Sequence, residues 1–195
     1  MAFFKTCTTA VVTLLISSAA LAATLDVGGI KVEDTADVQG TKLQLNGAGV
    51  RYKAVFKVYT IAFYAGKKVG SAEELAALPG PKRISITMLR DIDANELGKG
   101  LTRGFEDNAL KSEMSKLIPG LIKMGQNFGE QKKMLAGEVM LLDWVPGTGM
   151  TVTAKGKVQG EPYKEVEYFN TMTRIWIGSS PVDSKLKDAL LGIKP

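Results

Sequence analysis

The sequence contains no histidine, and its single cysteine is Cys7. Without histidine there is no Ser-His-Asp or Cys-His nucleophilic machinery, and zinc loses its commonest nitrogen ligand. With one cysteine no intrachain disulfide can form, so stability must come from a packed core. Acidic neighbours such as Glu33 and Asp34 lack the spacing of an EF-hand loop. Gly47-Ala48-Gly49 lacks the third glycine and the following helix of a dinucleotide-binding turn. No metal and no cofactor is therefore expected. The formal net charge is +5. Its basic residues are scattered, without a Lys/Arg run or interleaved aromatics. That argues weakly for anionic partners and not for nucleic acid.

The most continuous apolar run lies at the N-terminus. Lys5 provides a positive start, residues 11–21 an apolar core, and Ala20-Leu21-Ala22 a small-residue cleavage site. The run is too short to span a bilayer as a stable helix. Residues 1–22 thus read as a signal peptide removed before Ala23, with no transmembrane span afterwards. Cys7 is far from the cleavage site, so it does not read as a lipoprotein cysteine. Residues 23–195 are expected to form one domain with a sizeable core.

Residues 43–66 carry the densest signal. Leu43 and Leu45 alternate with polar residues, as in a half-buried strand. Asn46-Gly47-Ala48-Gly49 is expected to interrupt it with a turn or glycine-rich bend. After that, Val50, Tyr52, Ala54, Phe56 and Val58 share one parity. Arg51, Lys53, Val55, Lys57 and Tyr59 share the other. From Val58 to Ala65 every residue but Thr60 is apolar or aromatic, as in a strand covered on both faces. Arg51 stands out in this setting. Either its guanidinium reaches solvent or a structural carboxylate over an apolar stem, or it points into a pocket and holds an anion by its fork of donors.

Residues 25–40 read as short strands and turns. Ser71 with Glu74 makes a capping box for a short helix over 71–78, stopped by Pro79-Gly80. A strand over 82–89 puts Ile84, Ile86 and Met88 on one face. Asp93 with Glu96 caps a helix from Ala94 to about Leu110, with Leu97, Leu101, Phe105 and Asn108 on one stripe. A helix over 114–128 is started or kinked by Pro119-Gly120. Strands are expected over 132–135 and 138–145, then a turn at 146–149 and a return strand over 150–154. Pro162 opens a helix running through Trp176. Pro181 and Asp183 start a last helix, closed by Gly192. Strands and helices come in blocks, with hairpin signals and no regular βαβ alternation. The fold class is α+β, with a largely antiparallel sheet and helices on one face.

Two signatures carry a resemblance. One is a glycine pair, then Val-Arg, then a strand beginning Val-Tyr with a second tyrosine five positions on. Here these are Gly47, Gly49, Val50, Arg51, Val58, Tyr59 and Tyr64. The other is Phe169-Asn170, Ile175-Trp176-Ile177-Gly178, Pro181, Leu186-Lys187 and Leu190-Leu191-Gly192. In order and spacing the chain resembles the chalcone isomerase-like superfamily over residues 43–192, and most nearly its bacterial exported branch. Plant chalcone isomerases and plastid fatty-acid-binding proteins are other branches. The resemblance implies the open-faced β-sandwich of the chalcone isomerase type, a ligand cleft between sheet and helices, and a periplasmic location.

The resemblance also implies that an arginine and a hydroxyl residue on the next strand meet at the ligand. They match Arg51 and Tyr59, with Tyr64 as the other candidate. On one continuous strand Arg51 and Tyr59 would stand ~26 Å apart. Folded as a hairpin about Val55 they become cross-strand neighbours, about 5 Å apart at Cβ. The reversal must then fall near Ala54-Val55-Phe56, which has none of the usual turn formers.

The expected function is an exported, non-catalytic binding protein for a fatty acid or similar amphipathic carboxylate. Its ligand-binding residues would be Arg51, Tyr59, Tyr64, Leu101, Phe105 and Asn108, with Leu97, Ile118 and Ile122 along the tail. One alternative is an isomerase using Arg51, Tyr59 and Asn108. By the resemblance, though, Leu101 stands where the plant enzymes have a tyrosine, and Tyr59 replaces their small threonine. A leucine cannot donate to a developing enolate. The other alternative is an envelope interaction module without a ligand.

Overall fold

A computed structural model describes residues 23–130 and 132–193. The signal peptide expected at 1–22, and Cys7 with it, lie outside the described residues. The strands are β1 (Thr24–Val27), β2 (Ile30–Glu33), β3 (Thr35–Val38), β4 (Thr41–Lys53), β5 (Phe56–Ala65), β6 (Lys82–Met88), β7 (Ile92–Asp93), β8 (Lys133–Met134), β9 (Val139–Val145), β10 (Gly149–Ala154) and β11 (Lys157–Val158). The helices are α1 (Ala72–Ala77), α2 (Ala94–Asn108), α3 (Met114–Glu130), α4 (Val166–Ile177) and α5 (Ser184–Leu190).

Period-two patterning builds the sheet. In β6, Lys82, Ile84, Ile86 and Met88 are buried while the residues between them are half-buried. β3, β4, β5, β6, β9 and β10 pair antiparallel with their neighbours. The result is one seven-stranded sheet in the order β11-β10-β9-β6-β5-β4-β3. The helices supply the other side of the main core, where Phe105, Leu117, Phe169, Ile175 and Trp176 meet Ile61, Phe63, Ile84 and Ile86. A smaller apolar cluster lies on the opposite face: Val32, Val38, Leu43, Ala62 and Tyr64. This is the α+β arrangement expected, with a largely antiparallel sheet and a helical layer.

Two local expectations are corrected. Asn46 to Gly49 do not turn: β4 runs unbroken through them, with a bulge between Leu45 and Gly47. Asn46 is the extra residue. Its buried amide donates to Val69 O (3.1 Å) and Leu190 O (2.7 Å) and accepts from Val69 N (2.7 Å). The strand expected over 132–135 is β8, which pairs with β7 outside the seven-stranded sheet. Pro162 does not open α4. Tyr163 instead exchanges backbone hydrogen bonds with Met150, and the helix begins after Glu165.

The hairpin between β4 and β5 does reverse at Ala54-Val55, since Lys53 pairs with Phe56. Ala54 takes a left-handed φ of 53°. That conformation costs a non-glycine residue about 1 kcal/mol, which long ladders on both sides can offset. A second bulge between Arg51 and Tyr52 leaves Val58 without a register partner in β4 and brings Phe56 opposite Lys53.

Candidate functional site

Arg51 and Tyr59 are direct partners across β4 and β5. Both line a cleft of about 380 Å³ between the sheet, α2 and the segment entering α5. Leu97 and Leu101 of α2, Ile175 of α4 and Val182 supply apolar walls. Lys53 and Glu96 pair at 2.7 Å across the rim, both exposed. A smaller cavity of about 40 Å³ lies beyond, lined by Met124, Met140, Met150 and Met172 among others. Leu101 lines both spaces.

The polar end is partly organised by protein groups. Trp176, fully buried, donates from Nε1 to the Tyr59 hydroxyl oxygen at 2.9 Å. That leaves the Tyr59 proton without a described acceptor, so the phenol can donate it. Burial raises the Tyr59 pKa; the Trp176 bond and the Arg51 charge pull the other way, while Asp183 adds to the rise. Arg51 donates through one Nη to its neighbour's carbonyl, Tyr52 O, and lies 3.4 Å from Asp183 Oδ2. Its other guanidinium nitrogens make no bond to a described residue. Asp183 is also the N-cap of α5, accepting from Leu186 N at 3.1 Å. A guanidinium with half its fork open, beside a phenol donor, suits a carboxylate.

The other expected site residues are dispersed. Tyr64 is on the opposite face of the sheet, donating to Glu33 O at 3.0 Å, so it cannot join Arg51. Phe105 is buried outside the cleft, packed on Tyr168 with ring centroids 4.7 Å apart. Asn108 is a buried brace: it donates to Gly104 O and Ser180 O and accepts from Ser180 N. Ile118 and Ile122 are exposed, because α3 turns Leu117 and Met124 inward. Leu97 and Leu101 do face the cleft. Sequence reasoning missed the roles of Trp176 and Asp183. The first was visible only as a family signature and the second only as a helix start. Nothing in the order of residues ties Asp183 to an arginine 132 positions away.

Burial also raises the pKa of Tyr64, Tyr163 and Tyr168. A group whose folded pKa is raised stabilises the fold fully below its unfolded pKa, near 10 for tyrosine, and loses that as pH rises through the folded value. Lys82, lowered by burial, opposes this with a single group. With no histidine to titrate, the thermal midpoint should stay flat from about pH 6 to 9. Above about pH 10 it should fall, as the stability drops by roughly 1.4 kcal/mol per pH unit for each fully buried tyrosine. Thermal unfolding across that range measures it; a flat profile to pH 11 would contradict the burial argument.

Among the described residues no helix is long and apolar enough to cross a membrane, and no cluster of metal-ligating side chains occurs. A family model described as chalcone isomerase-like matches residues 23–192. No curated protein matches the sequence. Among solved structures, a fatty-acid binding protein of Arabidopsis thaliana superposes with a TM-score of 0.65 at 16% identity, covering 87% of this chain and 96% of that one. At that identity the likeness is one of fold.

Proposed function

The chain belongs to the chalcone isomerase-like family, and from that premise we propose that it is an exported, non-catalytic binder of a fatty acid or similar amphipathic carboxylate. The observation that carries this reading is the cross-strand pair of Arg51 and Tyr59, lining one cleft with the apolar side chains of Leu97, Leu101, Ile175 and Val182. The guanidinium and the phenol proton hold the carboxylate, and the chain runs along Leu97 and Leu101. Each buried methylene contributes about 0.8 kcal/mol, so the tail sets affinity and the head sets orientation. The Arabidopsis neighbour, a fatty-acid binding protein by its description, supports the ligand class. An isomerase would need a donor where Leu101 supplies only methyl groups. The signal-like residues 1–22 support export to the periplasm.

Native mass spectrometry of the exported protein, together with an assay of chalcone cyclisation, tests this reading. The expected result is a chain starting at Ala23 with a co-purified acyl ligand, and no acceleration of chalcone cyclisation above the spontaneous rate. An empty chain held by a stable protein partner would favour an interaction module. Saturable turnover abolished in Arg51→Ala would favour an isomerase.

A further inference from the structure

Tyr168 of α4 is not used by the carboxylate site. It is 1% exposed, stacked on Tyr163 with ring centroids 4.6 Å apart. A Cβ at Gly120 would collide with its ring. Among the described residues its hydroxyl is the one buried side-chain oxygen or nitrogen without a hydrogen-bond partner. Buried hydroxyls are nearly always paired, because an orphan keeps its desolvation cost. Tyr168 also lines the cavity of about 40 Å³ beyond Leu101. Five of the chain's eight methionines line it too: Met124, Met134, Met140, Met150 and Met172. Thioethers on flexible stems yield readily to an inserted group. The space already exceeds what one water-sized group needs.

We propose that this cavity receives the far end of the ligand, and that Tyr168 selects a chain carrying an oxygen, a hydroxyl or keto group, at or near that end. The proposal rests on the carboxylate reading of the Arg51–Tyr59 cleft, which has Leu101 as a lining residue in common with this cavity, so that a shift of the Leu101 side chain would connect them. A plain methyl terminus gains apolar contact from the methionines but leaves the Tyr168 hydroxyl orphaned. An oxygenated terminus accepts from it and offsets its own loss of water. Burial keeps the phenol protonated, so the donor persists at any pH the fold withstands. Asn127 also lines the cavity, but its Nδ2 donates to the Tyr163 hydroxyl at 3.1 Å and it makes no hydrogen bond with Tyr168.

The test is calorimetric titration of wild type, Tyr168→Phe and Arg51→Ala with dodecanoic, tetradecanoic and hexadecanoic acids and their ω-hydroxy counterparts. At the best-fitting length, the preference for the hydroxy acid should be about tenfold greater in wild type than in Tyr168→Phe. The plain acids should bind these two proteins alike. An unchanged preference at every length overturns the role of Tyr168 and, if Arg51→Ala still loses the plain acids, leaves the carboxylate site standing. If neither series binds wild type, both readings fall. The ligand-free thermal midpoint gives a second check. Tyr168→Phe should melt at or above wild type, since it removes an unpaired hydroxyl. A clear drop would mean that the hydroxyl already has a partner, and would overturn the proposal.

Discussion

Replacing Arg51 with alanine should weaken long-chain fatty-acid binding by about 2–4 kcal/mol, or ~30- to 900-fold, the worth of one or two charge-assisted hydrogen bonds. Arg51 meets Asp183 through a single Nη at 3.4 Å, so part of its fork remains open to a second carboxylate. Arg51→Lys should restore only part of the affinity, because a point charge cannot reproduce two parallel donors. Tyr59→Phe should lose less than Arg51→Ala. It removes one donor and keeps the ring, at the cost of leaving Trp176 Nε1 without its acceptor. The fatty alcohol should bind weakly to wild type and be almost indifferent to Arg51→Ala. Titration of these proteins against acid and alcohol decides the matter. If Arg51→Ala binds the acid as tightly as wild type, Arg51 is a structural partner of Asp183 and the carboxylate clamp is wrong.

A single methyl group added at Gly47 should be among the most damaging changes in the sheet. A Cβ there would collide with the backbone carbonyls of Ala189 and Leu190 at the end of α5. Backbone cannot swing aside as a side chain can, so α5 must lift from β4. Asn46 next door would lose its bond to Leu190 O as it did so. Overpacking of this kind costs about 3 kcal/mol, or roughly 6–12 °C in thermal midpoint for a chain of this size. The helix also carries Arg51's counter-ion at its N-cap, so Gly47→Ala should impair ligand binding together with stability. Gly125→Ala is the control. It lies within α3 with nothing within 4 Å of an added Cβ, and alanine there should stabilise by up to about 1 kcal/mol. If Gly47→Ala melts with wild type, α5 does not sit against β4 as described.

Gly47 and its neighbour Gly49 show where sequence reasoning reached its limit. Read locally, Asn46-Gly47-Ala48-Gly49 is a turn, because that composition usually serves backbone freedom. In the fold it serves close approach: Gly47 and Gly49 make room for α5 while the strand runs on. Ala54-Val55 is the converse. Nothing in its composition announces a reversal, yet the chain turns there, because the register of β4 against β5 leaves nowhere else to turn.

The order of residues by itself determined the elements and the layering. Alternation marked β6, capping boxes marked the starts of α1 and α2, and block order implied an antiparallel sheet with helices on one side. It also singled out Arg51 and Tyr59, provided that a hairpin joined them. Those signals are legible because they are local: period, cap and turn each act within a few residues. Only the tertiary structure decided which side chains share a space. It separated Tyr64 from Tyr59 onto opposite faces, set Trp176 and Asp183 beside the pair, and closed Phe105 and Asn108 into the helical packing. Such meetings depend on register and on helix docking between segments distant in sequence, for which no local pattern carries a code.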